Sequence, residues 1–303
     1  MLMLSPQQLE SYERDGAVVV DLGLPEDLLV ALEAAWLRLG AAPGGTPLYD
    51  EPAVLSLLQH ESFERIAQQV LRSDAVHIFE IGRSERPAGT ADGPNLDGGR
   101  FDKHGFQTEW AQGMHSDVQV ASDDFDATPR REQLAIWMWL CDVPEDRAAM
   151  RVLKGSHREL GDHWREMQRL GDAGLPLPLA HGPRWEAPGE PDARRWAGRE
   201  PTPMTARRGE ALVWSQQVLH SAWHNADVTH PRSGFFASWV AAGVSMGGRS
   251  PQQIAGQHAL WEELHKRMEP ERRHIAMDKE AARRFDEGWE ETWPPTLHVR
   301  YRL

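Results

Sequence analysis

Trp137 and Trp139 alternate with Ile136, Met138 and Leu140 inside residues 133–141. Successive side chains of an extended strand point to opposite faces, so a strand that is apolar at every position needs cover on both sides. One set faces the interior of a β structure and the other faces helices. Residues 76–81, 211–214 and 235–240 are also rich in β-branched and aromatic side chains and suit strands better than helices. The middle of the chain is therefore β-rich.

Helix signals flank this core. Ser5-Pro6-Gln7-Gln8 combines an N-cap hydroxyl, a proline at the first helical position and a glutamine three residues after the cap. The helix it starts carries Leu9 and Tyr12 and stops at Asp15-Gly16, and Ala17-Val18-Val19-Val20 follows as a strand. Leu28, Leu32, Ala35, Trp36 and Leu39 recur at helical spacing after Pro25, and residues 63–71 form a third helix. Ser250-Pro251-Gln252-Gln253 opens another, through Trp261, Leu264 and Met268, with a further helix over 278–289. Residues 83–113 and 159–208 read as long irregular segments, the second with Trp164, Trp185 and Trp196 as a lid over an apolar substrate. One domain spanning 1–303, mainly β with flanking helices, accounts for the whole pattern.

Composition narrows the function. With 33 Lys and Arg against 46 Asp and Glu, the net charge of −13 disfavours phosphate backbones, so no nucleic acid is expected as a partner. No apolar run approaches the ~20 residues of a membrane span, and the N-terminus lacks a basic leader, which points to a cytoplasmic protein without a membrane partner. Cys141 is the lone cysteine, which excludes an internal disulfide and a cysteine-type zinc site. Thirteen of the 24 aromatic residues are tryptophan, which suits either a large core or an aromatic-lined cavity.

His115-Ser116-Asp117 places an imidazole and a carboxylate two residues apart, on one side of an extended segment. His220 follows the strand at 211–214, with Asn225, Pro231 and Arg232 after it. Two histidines and one carboxylate on one face of an octahedral ion leave three positions open, the arrangement of non-haem Fe(II) oxygenases. The planar fork of Arg232 suits a carboxylate held at two points. His224, four residues after His220, competes for the distal position, but no glutamate follows His220 and the context is β.

The order of these motifs resembles the phytanoyl-CoA dioxygenase-like family of Fe(II)/2-oxoglutarate oxygenases. The likeness runs from Leu4 to about residue 240. It takes in the first helix and strand, His115-Ser116-Asp117, Trp137-Met138-Trp139-Leu140-Cys141-Asp142, the segment ending in Gly155-Ser156-His157, Gly209-Glu210-Ala211-Leu212-Val213-Trp214, His220, Asn225 and Arg232. Lys154 and Ala148-Ala149 depart from the family's usual proline and glycine. Arg232 lies 12 residues after His220, a slightly long loop.

The resemblance implies a double-stranded β-helix, a jelly-roll or cupin-like barrel. It implies His115, Asp117 and His220 as catalytic metal ligands, and Fe(II), 2-oxoglutarate and O₂ as cofactor and cosubstrates. Arg232 would hold the distal carboxylate of 2-oxoglutarate, with Trp137 either beside the cosubstrate or in the core. Ala222 replaces the family's small hydroxyl residue two positions after the distal histidine, and the adjacent Ser221 is the nearest hydroxyl to serve the cosubstrate. Retention of Asp117, which halogenating relatives replace, favours hydroxylation or a related C–H oxidation of a small molecule such as a secondary metabolite. A metal-dependent hydrolase or isomerase on the same barrel, and a non-catalytic binding barrel, are the alternatives, and Arg232 discriminates against the hydrolase.

Overall fold

The computed structural model describes residues 3–41, 47–89, 116–118, 120–172, 199–222, 225–244 and 251–284. Two antiparallel sheets form its centre. The larger has the order β1 (Ala17–Asp21), β6 (Glu210–Ser215), β3 (Leu134–Trp139), β8 (Arg232–Ala241), β2 (Val76–Arg86). The smaller has the order β5 (Thr202–Met204), β4 (Met150–Val152), β7 (His220–Ala222). Around them lie α1 (Pro6–Asp15), α2 (Glu26–Ala41), α3 (Pro52–Leu58), α4 (Glu61–Leu71), α5 (Ser122–Asp126), α6 (Ser156–Asp172) and α7 (Pro251–Arg267).

The alternation in β3 divides the core as its sequence requires. Leu134, Ile136 and Met138 enter one apolar cluster with Leu32, Trp36, Phe63, Val70 and Trp261 from the helices. Ala135, together with Leu212 and Trp214 of β6, joins Met150, Val152 and Met204 of the smaller sheet in a second cluster, against which Trp137 packs. The larger sheet thus has helices on one face and the smaller sheet on the other. Among the described residues the two sheets do not close into a barrel, so what stands of the jelly-roll expectation is a pair of packed antiparallel sheets with flanking helices.

The capping box forms as expected: Gln8 N–H donates to Ser5 Oγ at 3.2 Å and Ser5 N–H to Gln8 Oε1 at 2.9 Å. Gly16 ends α1 at φ 80°, where a side chain would also collide with the His157 ring. Trp139, Trp164, Trp214, Trp239 and Trp261 are fully buried, so most of the tryptophans among the described residues belong to the core.

Two expectations are corrected. Residues 83–86 are not the start of an irregular stretch; they continue β2, with Arg86 paired to Arg232. Residues 159–172 belong to α6, whose Leu160 and Trp164 are both buried one turn apart on its inner face. Trp164 is therefore a core residue and not part of a lid. Trp185 and Trp196 lie outside the described residues, as do residues 90–115 and 285–303. Among the described residues no helix is long and apolar enough to cross a membrane.

Candidate functional site

His220 opens β7 and is 4% exposed. Its Nδ1 lies 2.9 Å from the Val218 carbonyl, which can only accept, so Nδ1 carries the proton and Nε2 presents a lone pair. Nε2 sits 3.4 Å from Oδ2 of Asp117. Two donors at that separation both reach one ion at roughly 2.1 Å, an ordinary ligand distance. His115 lies outside the described residues, and among the described residues no group of three metal-binding side chains occurs.

The turn between β6 and β7 brings the two donors together. Asp117 N–H donates to the Gln216 carbonyl at 2.9 Å, and Gln216 N–H donates to Gln133 O at 3.1 Å. The Gly155-Ser156-His157 segment braces the same turn: Leu219 N–H donates to Ser156 Oγ at 2.8 Å, and Leu153 N–H donates to Leu219 O at 2.8 Å. His157 itself is buried against Phe125, with ring centroids 5.6 Å apart, and burial drives its pKa down to about 4. Its backbone carbonyl accepts from the Gln217 side chain at 2.8 Å.

An aromatic floor runs away from His220 across the larger sheet. The His220 and Trp214 rings are 4.2 Å apart, Trp214 and Trp137 5.6 Å, and Trp137 and Trp139 5.6 Å. Phe236, opposite Trp137 on β8, adds a ring at 5.3 Å. Trp137 and Phe236 are only partly buried, so they form the accessible part of the floor.

At its far end the Arg232 guanidinium lies over Trp139 at 4.7 Å. Arg232 is 2% exposed and donates to the Ala148 carbonyl at 2.7 Å and Ser84 Oγ at 2.8 Å. Neither partner is an acid, and its Nε is buried without a hydrogen-bond partner among the described residues. Burial, then the charge of Arg86, pulls its pKa down to about 10. A buried cation with neutral partners and an unused donor is built for an anion. The indole N–H groups of Trp137, Trp139 and Trp214 are likewise buried without acceptors among the described residues.

The remaining expected residues separate. Ser221 follows His220 in β7, so alternation turns it to the opposite face, and its Oγ is buried without a partner among the described residues. Asn225 pins the loop before β8, donating to the carbonyls of His230 at 2.9 Å and Pro87 at 3.2 Å. His224 lies outside the described residues. Two residues that sequence reasoning passed over belong to the site: Arg86, hidden in a segment read as loop, and Ala148, at φ 52°, whose left-handed backbone aims its carbonyl at Arg232. The family's usual glycine at that turn was the available signal for Ala148.

No curated protein matches this chain. Among solved structures, EctD from S. alaskensis, with 2-oxoglutarate and 5-hydroxyectoine, is 17% identical, covers 80% of this chain and 78% of its own, and has a TM-score of 0.55. The non-heme alpha ketoglutarate dependent carbocyclase SnoK from nogalamycin biosynthesis is 16% identical, over 84% of this chain and 90% of its own, also at 0.55. The epimerase SnoN, in complex with Fe3+, alpha ketoglutarate and nogalamycin RO, is 18% identical over 83% and 88%, at 0.55. These likenesses establish the fold. The family model for phytanoyl-CoA dioxygenase (PhyH) matches residues 12–227, and the chain therefore belongs to that family.

Proposed function

We propose that this chain is a non-haem Fe(II)- and 2-oxoglutarate-dependent oxygenase, built on a double-stranded β-helix within one domain, that hydroxylates or otherwise oxidises a C–H bond of a small organic molecule. The observation that carries the reading is one surface with two complementary ends. Asp117 Oδ2 and His220 Nε2 stand 3.4 Å apart at one end, and the buried Arg232, with no acid partner among the described residues, stands at the other. His115, two residues before Asp117, supplies the third ligand in this reading.

Iron and 2-oxoglutarate, when bound, supply the oxidising chemistry, in which O₂ is consumed and the oxo acid leaves as succinate and CO₂. The chain supplies geometry. Arg232 receives the distal carboxylate of the oxo acid, with Ser84, Ala148 and Trp139 fixing its guanidinium plane. The Val218 carbonyl holds His220 in the tautomer that presents the Nε2 lone pair to a metal. Trp137 and Phe236 floor the space between the two ends and keep it dry. A hydrolase needs no anchor for an oxo acid, so Arg232 favours the oxygenase.

The test is a succinate-release screen with Fe(II), 2-oxoglutarate and O₂ over small-molecule candidates. Succinate formation that requires all three and that falls at least 100-fold in Arg232→Ala supports the proposal. Turnover of a substrate without 2-oxoglutarate contradicts it.

A further inference from the structure

Gln217 lies in the turn before β7 and is 0% exposed, and its side chain bonds to no residue of its own turn. A glutamine amide has one acceptor oxygen and two N–H donors. Here Oε1 accepts the Val120 N–H, while Nε2 donates to Val120 O at 2.8 Å and to His157 O at 2.8 Å. Val120 is three residues after Asp117, and Gln217 is three residues before His220. Next to this clamp, the Asp117 N–H donates to Gln216 O at 2.9 Å. The segment carrying one metal-binding side chain is thus fastened, through a single buried amide, to the turn carrying another, and both are fastened to the start of α6.

We propose that Gln217 is a positioning residue that sets the spacing of Asp117 and His220 and so tunes metal affinity. The inference rests on the metal-site reading above. Filling the position is not a sufficient reason for a glutamine, because methionine has similar length and brings no buried polar group to satisfy. What the amide adds is a fixed register between two segments distant in sequence, and a metal site tolerates displacements of only about 0.5 Å in its ligands. Groups outside the ligand set that orient it typically alter metal affinity by about 10–100-fold when removed.

The molecule contains its own control. Gln69 makes the same two-point clamp on another backbone: Leu4 N–H donates to its Oε1 at 2.8 Å and its Nε2 donates to Leu4 O at 3.0 Å. That clamp ties the N-terminus to α4 and touches neither ligand segment.

The experiment titrates the full chain, as wild type, Gln217→Met, Gln217→Glu and Gln69→Met, with Co(II) alone, reading the visible ligand-field bands, and records thermal melting of each. The glutamate variant keeps the volume and the acceptor for Val120 N–H but gives up the paired donations to two carbonyls, so it decides the matter if the methionine variant does not fold. Both Gln217 variants are expected to bind Co(II) about 10–100-fold more weakly, with an altered band envelope, while Gln69→Met binds as wild type whatever its melting temperature. Wild-type affinity and spectrum in the Gln217 variants overturn the inference alone. So does an equal loss in Gln69→Met, or failure of both Gln217 variants to fold while Gln69→Met folds, since either assigns Gln217 to stability. Absence of Co(II) uptake by the wild type overturns the metal-site reading and the inference together.

Discussion

Arg86 and Arg232 face each other directly across the antiparallel strands β2 and β8, two guanidinium groups at one register position of a sheet. Like charges directly opposite are destabilising, and the effect grows away from water. Burial and the Arg86 charge both act to depress the Arg232 pKa. An anion bound by Arg232 offsets the repulsion between the two guanidinium groups. 2-Oxoglutarate at a hundred times its dissociation constant should therefore stabilise the wild type by about 2.7 kcal/mol, a rise in melting temperature on the order of 5 °C. Arg232→Ala should abolish that rise. Calorimetric scans with and without the oxo acid check this, and an equal rise in the variant counts against the anchor.

Ala148 holds a left-handed backbone conformation so that its carbonyl reaches Arg232 at 2.7 Å. A β-branched residue cannot adopt that conformation without strain. Ala148→Val should lose roughly 2 kcal/mol or more of stability and weaken 2-oxoglutarate binding, because the carbonyl leaves the guanidinium. Ala148→Gly should keep both within about 1 kcal/mol. Denaturant melts paired with oxo-acid titrations separate the two outcomes.

Gly234 lets β8 lie flat against β3 beneath Arg232. A Cβ there would stand 2.5 Å from the Met138 carbonyl oxygen and 2.7 Å from Cε3 of Trp139. Since one of those neighbours is backbone, Gly234→Ala should cost about 1–3 kcal/mol and push Trp139 out from under the guanidinium. Equilibrium unfolding should show the loss, and the oxo-acid dissociation constant should rise with it. A stable variant with unchanged affinity would mean that Trp139 does not orient Arg232.

Much of this was legible in the sequence, for reasons that differ by residue. The β3 alternation placed Trp137 and Trp139 on one face and Ile136 and Met138 on the other, because a strand covered on both sides leaves no other solution. Asp117, His220 and Arg232 were found through the order of their motifs, and the structure brings Asp117 and His220 together. Arg86 was hidden because Gly, Pro and Asp crowd the residues after it, and composition averaged over a window masks a strand that runs into such a stretch. Helix α6 was hidden because Leu160 and Trp164, which mark its inner face, stand amid Arg158, Glu159, Asp162, Arg165 and Glu166. Gln217 carries no sequence signal, because its meaning lies in contacts with residues 97 and 60 positions away.

His157 links the fold to pH. Its folded pKa of about 4 lies below the ordinary histidine value near 6.5, chiefly through burial. The unfolded chain therefore takes up this proton first as pH falls. The stability that His157 contributes is complete above about pH 6.5 and is lost as pH falls toward 4, by about 3 kcal/mol at most. His157→Gln should flatten the acid limb of stability against pH between those values, measured by urea midpoints at stepped pH. An unchanged limb would mean that His157 protonates as readily in the folded chain as in the unfolded one.

The most direct test of the oxygenase reading is anaerobic addition of Fe(II) and 2-oxoglutarate to the wild type, Asp117→Ala, His220→Ala and Arg232→Ala, watching for the visible charge-transfer band of the chelate. The account predicts a band in the wild type that needs both additions. It predicts no band in the two ligand variants, and in Arg232→Ala a band that appears only at much higher oxo-acid concentration. A wild type without the band, or ligand variants that keep it at full intensity, would contradict the account.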